Sequence, residues 1–234
     1  MKVKKIVITL IVITIVCAVI GIVNYVYNNR YTVPDSKTTV TSSKSSNDST
    51  TNPLLAALDV KCYQMEENGK KSVEYITLYK GVESGKLAGT AKKDALKDAV
   101  NAYVFHQSIM WYAEKHGLVA TDKKVDSYLN SFEKELAKAD NGSDIIAVYK
   151  AVGLSAKDIM GSESYGTKFQ LTYDKVYAQK YKEFTDGKTV TDTDGDWGKF
   201  EKSNLKAYLK SDAFNKFEPK LKAAEKAVKA DEGI

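Results

Sequence analysis

The 234-residue sequence predicts an all-α protein in three parts: a membrane-spanning helix, a polar linker and a helical bundle. Two observations predict this. Residues 6–27, IVITLIVITIVCAVIGIVNYVY, contain no charged side chain, and from Ala95 onward apolar residues recur at spacings of three and four between residues that cap or stop helices. No convincing period-two alternation and no internal repeat accompanies them.

The apolar run of residues 6–27 is long enough, as a helix, to cross roughly 30 Å of hydrocarbon. Lys2, Lys4 and Lys5 precede it and only Arg30 closely follows, so the positive-inside bias keeps the N-terminus in the cytoplasm and exports residues 31–234. A single-pass protein of the cell membrane with an extracytoplasmic C-terminal domain is therefore expected. A cleavable signal has an apolar core of about 7–15 residues followed by a small-x-small site; here the run continues past Ala18 and ends in Asn24, Tyr25 and Tyr27. Lipidation of Cys17 is disfavoured by Val16 before it, where processing wants a small residue. A buried core helix is disfavoured because the run has no polar face.

Residues 31–53 are dominated by Ser and Thr and carry almost no large apolar side chain, the composition of a flexible linker that cannot offset its ordering entropy by burial. The folded part is expected from residue 54. Of 35 basic and 30 acidic residues, four basic and no acidic ones lie in residues 1–30, leaving 31 against 30 in the remainder. A near-neutral, sign-mixed domain argues against nucleic acid as the main partner, since that interaction needs a localised basic face. Arg30 is the only arginine, a usage that points to a low-GC genome such as many Gram-positive bacteria have. Cys62 is the only thiol beyond the apolar run, so no intrachain disulfide can staple the domain and its stability must come from an apolar core.

The elements follow in order. Pro53–Glu67 and Val73–Val82 read as short helices, although β-favouring residues between Ser72 and Tyr79 leave a strand possible there. A long helix runs from Ala95 with Leu96, Ala99, Tyr103, His106, Met110 and Ala113 on one stripe, and Gly117 ends it. Thr121 and Asp122 offer an N-cap for a helix carrying Val125, Tyr128, Leu129, Phe132 and Leu136. Ser143 is expected to cap a shorter helix with Ile145, Ile146, Val148, Tyr149 and Val152 inward, closed by Gly153. Ser155 and Asp158 make a capping-box variant at the head of a helix bearing Ile159, Tyr165, Phe169, Tyr173, Val176 and Tyr177. Gly161 and Gly166 weaken its first half by roughly 1 kcal/mol each relative to Ala, so a bend is expected there. Residues 185–196 read as a polar loop. Trp197, Phe200, Leu205, Tyr208 and Leu209 then mark one helix, and Phe214, Phe217, Leu221, Ala224 and Val228 another, which Pro219 is expected to kink or restart.

No motif for covalent chemistry emerges. His106 and His116, ten positions apart on one helix, point about 80° from each other and cannot share a metal, and His106 falls on the apolar stripe as a core residue would. Asp192, Asp194 and Asp196 imitate a calcium loop, but Trp197 stands where its glycine belongs and Ser203 where its bidentate Glu belongs. In GVESG, Gly81 to Gly85, the Ser is one place too late for a nucleophile elbow. Ser203 and Lys206 have S-x-x-K spacing without a partner motif, and no phosphate-binding glycine loop occurs. The sequence thus implies no enzyme, cofactor, metal or small-molecule substrate. Its unusual feature is the aromatic content of the helices. Phe105, Trp111 and Tyr112 lie off the main stripe of their helix, and with Tyr149, Phe169 and Tyr173 they are the candidates for a peptide-binding patch, because aromatic rings pair large apolar area with polar edges.

The order of these signals resembles the N-terminal helical domain of the SurA/PrsA family of extracytoplasmic folding factors. The resemblance covers about residues 90–184 and rests on the helix from Ala95 through Met110, on AEKHGL at 113–118, on Val119, Thr121, Asp122 and Val125 with Ala120 inserted, and on AVGLSAKDI at 151–159. It implies a SurA-like bundle over residues 54–184, with residues 197–234 packing back as C-terminal helices. It also implies a chaperone-like role that binds unfolded or secreted polypeptides without covalent catalysis. The parvulin-type prolyl isomerase domain common in that family has no counterpart here, so isomerase activity is not carried over. The rival expectation is a structural docking subunit of an envelope, secretion or conjugation assembly.

Overall fold

The structure is a computed structural model, which describes residues 51–139, 141–185 and 193–234. The apolar run, most of the linker, and Asp192 of the calcium-like triplet lie outside the described residues. No described helix is long and apolar enough to cross a membrane.

Nine α-helices form, and no strand occurs among the described residues. They are α1 (Thr51–Glu67), α2 (Val73–Leu87), α3 (Lys92–Lys115), α4 (Asp122–Leu136), α5 (Gly142–Ala151), α6 (Ala156–Gly161), α7 (Thr167–Thr185), α8 (Thr193–Tyr208) and α9 (Asp212–Glu232), with a 3₁₀ turn at Glu163–Tyr165. The strand alternative at Ser72–Tyr79 gives way to helix because Ser72 caps it: its hydroxyl accepts from the Tyr75 N–H at 3.2 Å. Thr121 does the same for the Lys124 N–H. Ser155 and Asp158 form both halves of a capping box, an aspartate serving where a longer acid is usual. Gly117 ends α3 with φ +65°, and the Leu118 N–H returns to the Ala113 carbonyl at 2.8 Å.

Five expectations need correction. The polar loop expected at residues 185–196 is shorter, because Thr185 still belongs to α7 and α8 already starts at Thr193. Ser143 lies inside the first turn of α5, whose N-cap position is Asn141 with no side-chain hydrogen bond. Val152 is 48% exposed, because it follows the last turn of α5 and Gly153 turns the chain away behind it. The single helix expected from Ser155 to Tyr177 is broken outright: Ser162 adopts extended backbone and Gly166 takes φ +84°, so α6 and α7 are separate. Pro219 does not restart the last helix, which runs on from Asp212 to Glu232. It is exposed, so the missing N–H costs a bond on the solvent-facing side only.

Three apolar cores are strung along two shared helices. In the first, Leu58 and Cys62 of α1, Ile76, Leu78 and Val82 of α2, Leu96 and Ala99 of α3, and Leu221, Ala224 and Val228 of α9 pack together. The second takes the other side of α1, Ala56 and Val60, against Leu129, Phe132, Ile145, Tyr149, Ile159 and Met160 of α4 to α6. The third uses the C-terminal half of α3, where Phe105, Ile109 and Ala113 meet Val176 of α7 and Trp197 of α8. Twenty-four residues make α3 about 36 Å long, enough to serve two cores end to end.

The GVESG segment finds its role in the first core. It lies inside α2, and Gly81 and Gly85, one turn apart, face Ala99 and Ala95 of α3. A Cβ on Gly81 would stand 2.5 Å from the Ala99 Cβ, and one on Gly85 2.6 Å from the Ala95 Cβ. This is a small-xxx-small crossing that brings two helix backbones close. Polar ties join the cores. The Asp59 carboxylate pairs with Lys80 Nζ at 2.7 Å and accepts from the Tyr149 hydroxyl at 3.3 Å. Glu66 accepts from the backbone N–H groups of Glu163 and Ser164, capping the 3₁₀ turn from a distant helix. The Thr172 hydroxyl accepts from the Ala120 N–H and donates to the Lys168 carbonyl, which pins the α3–α4 connection to α7.

Candidate functional site

The third core differs from the other two in being largely aromatic, and it opens to solvent. Val176 and Phe105 lie at its base. Over them α7 presents Phe169, Tyr173, Tyr177 and Tyr181, a ladder at i, i+4, i+8 and i+12 that helical geometry places along one face. The start of α8 brings in Trp197 and Phe200. Trp197 is 3% exposed and is the hub: its ring meets Tyr173 at 5.5 Å, Tyr177 at 4.8 Å and Phe200 at 5.2 Å between centroids. The two tyrosine contacts are edge-to-face, the arrangement the ring quadrupoles prefer.

Two histidines border the cluster. His106 stacks on Phe169 at 3.9 Å and His116 on Tyr112 at 4.1 Å. Burial of the His106 imidazole pushes its pKa down to about 4, so the ring is neutral near pH 7. Lys180 reaches over Tyr112 at 5.2 Å and Phe200 at 5.1 Å while pairing with Glu183 at 2.6 Å, which gives the cluster one cationic edge. Asn204 of α8 donates to the Ser108 carbonyl at 2.9 Å, a buried bond that fixes α8 on α3.

Two features set this cluster apart from the other cores. Tyr177 and Tyr181 stack at 6.2 Å and remain 36% and 38% exposed, so the hub continues outward into an accessible aromatic surface. Among the described residues the buried Trp197 indole Nε1 finds no hydrogen-bond partner, an arrangement that costs about 1–3 kcal/mol in an ordinary core.

The structure brings four predicted peptide-contact residues together here and separates two. Phe105, Tyr112, Phe169 and Tyr173 all belong to the third core. Trp111, next to Tyr112 in the chain, points to another side of α3, tilted on Tyr208 at 5.8 Å with Lys115 Nζ 3.8 Å above its ring. Tyr149 sits in the second core, bonded to Asp59. Phe105 and Tyr149 are each 3% exposed, which corrects the expectation that they lie on a surface patch. In α3 the apolar stripe of the N-terminal half is not that of the C-terminal half, so Phe105, off the first stripe, is central to the second. The residues missed are Trp197, Phe200, Tyr177 and Tyr181; the i, i+4 tyrosine ladder was the signal available for the last two.

Elsewhere the chemistry is sparse. No group of three metal-ligating side chains occurs among the described residues. Cys62 is 1% exposed and burial pushes its thiol up to about 11, far from a reactive thiolate. A shallow cleft of about 290 Å³ lies beside the α5–α6 turn, lined by Glu133, Ile146, Lys150, Leu154 and Asp158, with charges of both signs around a small apolar floor. No family model, no curated protein and no solved structure matches this chain.

Proposed function

We propose that this protein is a membrane-tethered, extracytoplasmic, SurA-like chaperone that holds non-native or secreted polypeptide against the aromatic face of α7 and α8. The observation that carries the reading is the continuity of the buried Trp197 hub with the exposed, stacked Tyr177 and Tyr181. Tyrosine edges bind apolar side chains and backbone polar groups together, which suits clients with no fixed sequence. The apolar run of residues 6–27 and the Ser/Thr-rich segment after it support the placement on the far side of the membrane.

The test uses the full chain in lipid nanodiscs. At several-fold excess over a chemically unfolded client it should suppress light scattering, and Tyr177→Ser/Tyr181→Ser should lose most of that suppression while keeping its helical signal. No suppression by the unaltered chain sinks the chaperone reading; equal suppression by the double variant moves the activity off this face. In-cell crosslinking from position 181 separates the rival docking role, which predicts one stoichiometric partner where a chaperone captures many.

A further inference from the structure

The corner where α8 turns into α9 carries a second surface of different chemistry. Lys202, Lys206 and Lys210 recur every fourth residue and are all exposed, and Lys216 follows on the first turns of α9. Among the described residues none of the four has an ion-pair partner. Three other lysines of these helices do: Lys199 pairs with Asp196 at 3.2 Å, Lys222 with Glu218 at 2.9 Å and Lys229 with Glu225 at 2.7 Å. Leu209 stands among the free lysines at 43% exposure. At 100° per residue, Lys202, Lys206 and Leu209 fall within about 60° of one another around the helix.

The acidic groups nearby do not cancel this charge. Glu114 and Lys115 adjoin on α3 beside Tyr208 and Trp111 and offset each other. Asp212 is in the first turn of α9, and Glu201 faces Tyr173 on another side of α8. From Trp197 through Lys222 the chain has seven lysines against three acids. An exposed leucine ringed by lysines is the pattern of an interfacial membrane contact, where the apolar side chain enters the headgroup boundary and the ammonium groups meet phosphates. A polynucleotide partner would leave that leucine without a role and would favour bidentate arginine, which this surface lacks.

We propose that the α8–α9 corner is a contact surface for anionic phospholipid headgroups, seating Leu209 in the interface while Lys202, Lys206 and Lys210 engage the phosphates. The proposal takes from the membrane-tethered reading only the nearness of a bilayer. Contact would lay the C-terminal half of the domain on the membrane, close to where exported chains emerge.

The test places a fluorophore at Ser203→Cys, exposed on α8, in the full chain carrying Cys17→Ser. The labelled chain is reconstituted in nanodiscs of phosphatidylcholine with or without phosphatidylglycerol and with a nitroxide headgroup quencher. Quenching should appear with phosphatidylglycerol and fade at high salt. Each lysine contributes about fivefold to such partitioning, so Lys206→Gln/Lys210→Gln should weaken the lipid-dependent component about twenty-five-fold and leave client holding unchanged. Quenching that ignores phosphatidylglycerol, or that survives the double substitution, overturns the proposal, as does stripping of the corner from the lipid by a duplex oligonucleotide at lower charge concentration. A chain that fails to enter nanodiscs refutes the anchor instead; flotation of the free chain on phosphatidylglycerol vesicles, with the same variant, then decides the corner alone.

Discussion

Replacing Gly81 by alanine should destabilise the domain, although the same change in most helices does the opposite. An interior Gly→Ala gains about 1 kcal/mol from backbone entropy. At Gly81 the new Cβ would lie 2.5 Å from the Ala99 Cβ, about 1 Å inside ordinary contact, on two backbones that have no flexible end to move. Relief requires α2 and α3 to separate, which also loosens the Gly85–Ala95 contact one turn away; such overpacking costs about 1–3 kcal/mol in well-packed cores. The net expectation is a loss of about 1 kcal/mol or more. Ala99→Gly leaves the new Cβ facing only the Ala99 Cα at 3.4 Å, so the double variant should recover most of the clash and give a favourable coupling of about 1–2 kcal/mol in a mutant cycle. Gly198, inside α8 with nothing within 4 Å of its added Cβ, is the control and should stabilise when changed to Ala. Urea unfolding followed by circular dichroism measures all four variants. Stabilisation by Gly81→Ala, or additivity in the cycle, would refute the close-crossing argument.

Other perturbations have equally definite signs. Ser155→Ala removes the hydroxyl that accepts from the Asp158 N–H and should cost about 1 kcal/mol in urea unfolding. The Ser155 hydroxyl and backbone N–H also hold Asp158 below the usual carboxylate range, so its contribution is present above the unfolded value and disappears as pH falls through the folded one. For His106 the folded pKa of about 4 lies below the unfolded 6.5, so only the unfolded chain takes up a proton between them. Stability should therefore fall as pH drops from about 6.5 toward 4, by at most about 3 kcal/mol, and His106→Phe should remove that part of the slope in urea midpoints measured at pH 7 and pH 5. Asp59→Asn strands Lys80, whose side chain is 24% exposed, and weakens the bond to Tyr149; a loss of about 2 kcal/mol in thermal or urea unfolding is expected.

Much of this architecture was legible because its boundaries are chemical. Thr121, Ser155, Gly117 and Gly153 act within a few residues of where they stand, so local reading found them. What escaped depends on contacts distant in sequence. Gly81 and Gly85 are meaningful only opposite Ala99 and Ala95, and Ser72 outweighs the β-branched residues after it only once α2 has a core to enter. Phe105 became a surface candidate because a single stripe was assigned to its helix. In α3 the partner changes halfway along, from α2 and α9 to α7 and α8. The aromatic site was half visible: composition located the rings on α3 and α7, but Trp197 lies beyond a polar segment, and no local rule places it against Tyr177.

That division of α3 has a consequence for how the protein can work. The first core closes over Gly81, Gly85 and the α9 stripe without using any side chain of the aromatic cluster. Asp231 accepts from the Tyr75 hydroxyl at 2.6 Å and pairs with Lys71, while Glu232 pairs with Lys86, so α9 is held at its far end by groups remote from Trp197. A surface that must accept varied partners is best carried where local rearrangement leaves the main core intact. Tyr177 and Tyr181 meet that condition, being more than a third exposed at the edge of a core that α2 and α9 do not share. Replacing both by serine should therefore shift the global urea midpoint little, whereas Val82→Ala in the first core should cost about 2–3 kcal/mol. If the two substitutions cost alike, the aromatic face is part of the foundation and not a surface free to bind.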